Sequence, residues 1–238
     1  MRFLSRQRRL LIAAFTVPAL QLLLGTGLLW FGWFGFNGGS QLAVGGAEIP
    51  FTTTHVAAAA GLVAWSVVET WRDGKPTAVG MATGAVSGLV GVTPAAGFVT
   101  IGSGMAIGAI TAVLCYISVQ VKVKLRFDDS LDTYAVHGVG GTAGALLTGV
   151  FANAELISAH PAGQVLAEQG RGALVLGQLQ AVLVAYGLAA IGTFLIAGVL
   201  RGLGVQFRVT EEAENLGVDV AEHGEEAYAE RVGSPQLY

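Results

Sequence analysis

This sequence has few charged residues for its length. Only 12% of its 238 residues are charged, whereas a soluble domain carries about 25%. The single cysteine, Cys115, excludes a disulfide framework, and the histidines lack the spaced partners of a metal site, so neither metal nor cofactor is predicted. The basic residues are scattered over short loops and give no nucleic-acid signature. With 53% hydrophobic residues, the composition instead predicts a membrane protein.

Six apolar runs predict an all-α, polytopic membrane helix bundle. Each has about 18 to 27 largely apolar residues, which matches a hydrocarbon core of about 30 Å. The runs cover residues 10–36, 53–71, 77–94, 103–121, 131–151 and 174–200. The first run follows four arginines and resembles a signal peptide, but it is long enough to span the membrane.

The loops between these runs predict the orientation of the chain. All but one of the 13 lysines and arginines lie on the side that holds both termini; the exception is Arg171. The positive-inside rule therefore places both termini in the cytoplasm of a multi-pass plasma-membrane protein. The predicted domains are a basic segment (1–9), a membrane domain (10–202) and an acidic tail (203–238). Composition favours a solvated tail, and docking of a regulator or a neighbouring subunit is the alternative.

His137 is the first candidate for function, because it lies within the fifth apolar run. An ionisable residue inside the membrane is costly and is a functional-site candidate by default. A neutral imidazole can line a pore and hydrogen-bond a small polar solute or exchange a proton. The structural alternative is a buried imidazole that hydrogen-bonds between helices, for about 0.6 to 2 kcal/mol.

Aromatic residues at a spacing of three form the second candidate. Trp30, Trp33 and Phe36 share one face of the first span, which we expect to end at Asn37-Gly38-Gly39-Ser40. They are typical of an aromatic belt at the membrane interface. The functional alternative is a vestibule that binds a cation by its π faces, with Phe36 as a steric gate.

The polar and small residues near these candidates predict structural roles. Asp128, Asp129 and Asp132 precede or begin the fifth span, where carboxylates cap a helix and oppose its dipole. Gly138 opens space beside His137, for close packing or for a lumen. The small-residue stretch 83–97 predicts tight helix packing, and Glu69, at the end of the second span, can reach the interface.

Several motifs in register resemble the ammonium transporter family (the Amt/MEP/Rh group). They occur in the same order over nearly the whole chain, which is far more specific than any one motif. The matching stretches are GWFGFN at 32–37, GKP at 74–76, GVTPA at 91–95, DD at 128–129, VHGVGG at 136–141, and LGVD and HGE in the tail.

The resemblance implies a fold, a pore and partners. It implies trimers of eleven-span subunits built from two inverted five-span repeats, each subunit having a narrow hydrophobic pore. His137 is similar to the second member of a pore-lining histidine pair, Phe36 to a gate phenylalanine, and Trp33 and Ser40 to positions at or near the outer recruitment site. Asp129 matches a carboxylate that opens the histidine-bearing helix. Supporting roles are expected for three residues: Asp132, Thr93 and Gly138. The tail resembles one that contacts neighbouring subunits and PII-type regulators.

The six predicted spans match the second inverted repeat plus one further span. We therefore expect the C-terminal part of a longer ammonium transporter, with lipid and ammonium or ammonia as partners and with no enzymatic activity, because one histidine and one aspartate cluster are too few polar groups for a membrane enzyme. The alternatives are a truncated, non-conducting fragment and an ammonium sensor of the same fold.

Overall fold

The computed structural model describes residues 6–42, 45–159 and 163–226, and it describes side chains in 19–42, 45–159 and 168–226. Within these ranges all regular secondary structure is helical, so the predicted all-α class is confirmed. The α-helices are α1 (Arg6–Gly39), α2 (Glu48–Asp73), α3 (Ala78–Val92), α4 (Ile101–Leu125), α5 (Gly140–Phe151), α6 (Ala154–Ser158), α7 (Gly163–Gly202) and α8 (Glu211–Leu216). Two π-helical segments, Tyr134–Val139 and Asp219–His223, precede α5 and follow α8.

Every predicted span coincides with a helical element, but two are shorter than expected. Four helices among the described residues are long and apolar enough to cross a membrane: Ala19–Gly39 of α1, all of α2, all of α4, and Glu168–Gly202 of α7. The third run forms only the 15 residues of α3. The expected minimum span length of about 18 residues is therefore wrong for α3, which has 15.

The ends of α3 explain its length. Thr77 accepts a hydrogen bond from Gly80 N and caps the first turn, while Pro94 has no backbone N–H and so cannot continue the hydrogen bonds of the helix. The fifth run is also shorter, because Asp132 has a left-handed φ of 55° and the helical segment starts only beyond it. Two parts of the predicted terminal domains, residues 1–5 and 227–238, lie outside the described residues.

The chain divides into two compact units. One unit, Pro18–Val184, contains α2 to α6, and in it α2, α3 and α4 pack against one another. The segment Tyr134–Val139 and α5 pack on α3 and α4 in the same unit. The other unit joins Met1–Val17 to Ala185–Tyr238, and there α8 contacts the segment Asp219–His223.

Small residues let three helices meet at the backbone of Ala57. This α2 residue is fully buried, and a Cβ atom placed on Gly88 of α3 or on Gly108 of α4 would overlap its carbonyl oxygen. A Cβ on Gly144 of α5 would likewise overlap the carbonyl oxygen of Gly91 in α3. The tight packing predicted for stretch 83–97 is therefore confirmed, and α3 is its centre.

A carboxylate links α2 to the start of α3. Glu69 accepts hydrogen bonds from Thr77 N at 2.9 Å and from Thr77 Oγ1 at 2.8 Å. The Thr77 hydroxyl oxygen accepts in turn from Gly80 N at 2.9 Å. Glu69 thus holds Thr77, the residue that caps α3. From the sequence we expected only that the Glu69 side chain could reach the membrane interface.

Candidate functional site

His137 lies in the π-helical segment Tyr134–Val139 that leads into α5. Single-turn π segments are rare in proteins, and where they occur they often lie at functional sites. The inner face of the segment is formed by Ala135 and Val136, which are buried, and Cys115 Sγ of α4 lies 3.7 Å from the Val136 carbonyl oxygen.

The imidazole of His137 belongs to the opposite, exposed face of the segment. Among the described residues the imidazole is therefore not buried between helices. An ionisable side chain at membrane depth almost always faces a bundle interior or a water-filled cavity rather than lipid. The position of His137 is thus compatible with a solute path and unfavourable for a lipid contact.

The aspartates fix the beginning of this segment. Asp129 accepts hydrogen bonds from the backbone N–H groups of Thr133 and Tyr134, both at 2.9 Å, which is the capping geometry expected from its position. Asp132 forms an ion pair with Lys122, in the last turn of α4. Two carboxylates therefore hold the helical segment a few residues before His137, and one of them ties it to α4.

Gly138 has a local packing role. A Cβ atom at this position would lie 2.8 Å from Cδ2 of the Tyr134 ring, so glycine lets the ring lie close to the helix backbone. The Tyr134 ring occupies the space beside Gly138. Of the two alternatives given by the sequence, close packing and a lumen, this is close packing.

The remaining candidates form a second cluster where α1 meets α3. The Trp33 indole donates a hydrogen bond to Thr93 Oγ1 at 2.8 Å, and the Thr93 hydroxyl donates to the Leu89 carbonyl oxygen at 2.8 Å. The Phe36 ring is tilted by 58° against Trp33, with 5.7 Å between ring centroids. Ser40 Oγ donates to the Phe36 carbonyl oxygen at 2.8 Å.

Trp33 and Phe36 differ in what they can offer a solute. The only polar hydrogen of Trp33 is engaged by Thr93, so the indole is oriented by the protein and offers its π face. Phe36 is 61% exposed, which leaves its ring available to a solute or to a covering segment. The cluster joins Trp33, Phe36, Ser40 and Thr93, while His137 belongs to the separate π-helical segment.

Sequence reasoning missed a buried polar group next to Phe36. Asn37 is only 3% exposed and donates from Nδ2 to Thr54 Oγ1 at 2.8 Å, while Thr54 donates to the Pro50 carbonyl oxygen at 2.5 Å. Asn37 Oδ1 is buried without a hydrogen-bond partner among the described residues. The sequence does place an asparagine at the end of the aromatic face, but there it predicted only the end of a helix. The expected helix end at 37–40 is itself confirmed, because α1 ends at Gly39.

A second missed feature is an aromatic contact between α1 and α2. Phe34 stacks on Phe51 with ring centroids 4.1 Å apart, and Trp30 lies 5.4 Å from the His55 ring. The described residues contain no group of three or more His, Cys, Asp or Glu side chains placed to hold a metal ion. The chemistry available among the described apolar helices is therefore that of aromatic faces, hydroxyls and the imidazoles of His55 and His137.

Comparison with known proteins identifies the family. A model described as the Ammonium Transporter Family matches residues 13–228. The chain belongs to this family. Together with the long apolar helices, membership makes it a multi-pass membrane protein. The named relatives are transporters and not enzymes.

Individual relatives show how much of a family member is covered. The ammonium transporter of Bacillus subtilis (strain 168) is 44% identical over 207 residues, which are 86% of this chain and 50% of the relative. The ammonium transporter Amt1 of Archaeoglobus fulgidus is 39% identical over 208 residues, or 87% of this chain and 51% of the relative. The chain thus spans about half the length of these curated relatives.

Solved structures show the same partial coverage. A protein described as a sensor Amt protein aligns with a TM-score of 0.72 and 34% identity, covering 84% of this chain and 48% of that one. Saccharomyces cerevisiae Mep2 aligns with a TM-score of 0.57 and 37% identity, covering 70% of this chain and 43% of that one. The fold is therefore that of ammonium transporters.

Proposed function

We propose that this chain acts in the transport of ammonium or ammonia across the membrane, as a transporter or as its C-terminal portion. The observation that carries the proposal is His137, an imidazole on the exposed face of a π-helical segment in a family of ammonium transporters. Trp33, Phe36 and Ser40 supply the outer part of the path, and His137 supplies its inner part. Asp129, Asp132, Thr93 and Gly138 support these groups.

The physical problem is the charge of ammonium. Carrying an ion through a dry apolar path costs many kcal/mol, whereas neutral ammonia crosses it much more easily. The aromatic faces of Trp33 and Phe36, with the Ser40 hydroxyl, replace part of the water shell of the cation. The apolar path then favours loss of a proton, and His137 hydrogen-bonds the neutral molecule and relays the proton. Potassium has no proton to lose and is excluded.

Growth and uptake test this proposal. The 238-residue chain is expressed in cells that lack ammonium uptake, on low ammonium, and labelled methylammonium uptake is measured with and without excess potassium. We expect uptake that is lost, or that loses its selectivity over potassium, in His137→Ala. His55→Ala is the matched control, because His55 is also exposed but lies in the α1–α2 aromatic contact. Wild-type uptake and unchanged potassium exclusion in His137→Ala would refute the assignment.

A sensor is the second candidate function, because one similar structure is described as a sensor Amt protein. In this alternative the path binds ammonium and the acidic tail reports the occupancy. Ammonium-dependent protection of the tail from proteolysis, without any uptake, would favour the sensor. Absence of both responses would instead favour a non-conducting chain.

The proposal extends to the cellular setting. We place the chain in the plasma membrane with both termini in the cytoplasm, with a basic segment at 1–9, a membrane domain at 10–202 and an acidic tail at 203–238. A homotrimer and a PII-type regulator at the tail are the proposed partners. Support comes from the loop charges, from the family, and from the exposed acidic side chains of α8, Glu211, Glu212 and Glu214.

A further inference from the structure

One face of α4 lies alongside the segment that carries His137. Thr111, Cys115 and Lys122 recur at spacings of four and seven, which places them on the same face of this helix. A Cβ atom on Gly140 would lie 3.0 Å from Cys115 Sγ and 3.4 Å from Thr111 Cγ2. The start of α5 is therefore in close contact with the middle of α4, immediately after the π-helical segment.

Lys122 holds the other end of the segment. Its ammonium group pairs with the Asp132 carboxylate and donates to the Asp129 carbonyl oxygen. The two side chains of the ion pair are only 15% and 31% exposed, so solvent screens their attraction less than at an open surface. Asp132 also has a left-handed φ of 55°, which non-glycine residues rarely adopt. The ion pair thus holds the residue at which the chain turns into the helical segment.

The segment between these two attachments is π-helical rather than α-helical. A π turn accommodates one more residue than an α turn, and each residue of an α-helix turns the chain by about 100°. If the segment relaxed to an α-helix, its two ends would rotate by about 100° relative to each other. Both ends are fixed on α4, at Lys122 and at Cys115, so the direction of His137 between them depends on these attachments.

We propose that Lys122 is a positioning residue that sets the direction of the His137 imidazole through Asp132. It reaches His137 only through the helical segment and has no part in binding the solute. The positioning itself is independent of the proposed function, whereas its consequence for transport rests on that function. An ion pair that merely joined two helix ends would leave the environment of His137 unchanged when removed.

Nitrogen NMR of the chain in lipid membranes tests this directly. The chain has four histidines, so ¹⁵N-histidine labelling gives a small set of resonances, and His137→Gln assigns the one of interest. In Lys122→Met we expect a displaced or split His137 resonance and unchanged resonances of the other three histidines. Lys124→Met is the matched control, because Lys124 is exposed and lies two residues further along α4. It should leave all four resonances in place.

Rescue separates positioning from general destabilisation. Lys122→Arg keeps the charge and should restore the wild-type His137 resonance, and Asp132→Asn should reproduce the Lys122→Met spectrum by removing the other partner. An unchanged His137 resonance in Lys122→Met and Asp132→Asn, or an equal displacement of all four histidines, would overturn the proposal. If Lys122→Met does not reach the membrane, Asp132→Asn alone decides between these outcomes. The spectra remain informative even if the chain carries no ammonium.

Discussion

Replacing Gly88 with alanine should weaken the contact between α2, α3 and α4. The new Cβ would overlap the Ala57 carbonyl oxygen and lie 2.9 Å from the Ala57 carbonyl carbon and 3.1 Å from Ala58 Cα. Carbon atoms pack best at about 3.5 to 4.0 Å, so α3 would have to move by roughly 0.5 Å or more. Ala57 cannot retreat freely, because Gly108 of α4 is packed against the same carbonyl.

The expected cost follows from this overlap. Overpacking a tight core typically costs about 1 to 3 kcal/mol, and the upper half of that range is expected here because the contacted atoms are backbone. A loss of about 2.8 kcal/mol would lower the ratio of folded to unfolded chains about a hundredfold, since about 1.4 kcal/mol corresponds to a factor of ten. The free energy of unfolding is measured by denaturant titration of the purified chain in mixed micelles.

Gly27→Ala in α1 is the matched control. Nothing lies within 4 Å of a Cβ at this position, so the same chemical change adds no overlap and removes a flexible glycine from a helix. We expect Gly27→Ala to equal or exceed the wild-type stability. The reasoning fails if Gly88→Ala unfolds at the same denaturant concentration as Gly27→Ala, or if both variants lose stability to the same extent.

Two further predictions concern the site. Thr93→Val removes the acceptor of the Trp33 indole and should lower the free energy of unfolding by up to about 1 kcal/mol, less than for a fully buried donor, and shift the tryptophan emission. Thr93→Ser should preserve both the stability and the emission. Equal emission spectra for the two variants would contradict this. Asp129→Ala removes the cap from Thr133 and Tyr134, so we expect a loss of about 1 kcal/mol and faster amide exchange at these two residues. Unchanged exchange there would show that the cap is dispensable.

The sequence predicted those features that depend on local spacing. Stretch 83–97 indicated tight packing, and the glycines at 84, 88 and 91 do approach neighbouring helices. Asp129 was expected near the start of the histidine-bearing helix, and its carboxylate accepts from two N–H groups of the first turn. These patterns are readable because helix periodicity and capping each involve residues a few positions apart.

The missed features depend on partners that are distant in the chain or on backbone detail. The Trp33 contact with Thr93 joins residues 60 positions apart, and no local pattern records it. The ion pair of Lys122 with Asp132 crosses a turn, and charge counting had assigned Lys122 only to an orientation rule. The π turn at His137 is a detail of backbone hydrogen bonding, which hydropathy cannot show.

The junction at Ala57 also limits how the protein can change over evolution. A Cβ atom added at Gly88 or Gly108 would meet the carbonyl oxygen of Ala57 rather than its side chain, and one added at Gly144 would meet the carbonyl of Gly91 in the same way. Shrinking a neighbouring side chain can relieve a clash between side chains, but no substitution at residue 57 or 91 removes a backbone oxygen. Suppressors of a larger residue at these glycines must therefore arise from displacement of a whole helix, so compensating changes are expected to be spread along its length rather than paired at one contact.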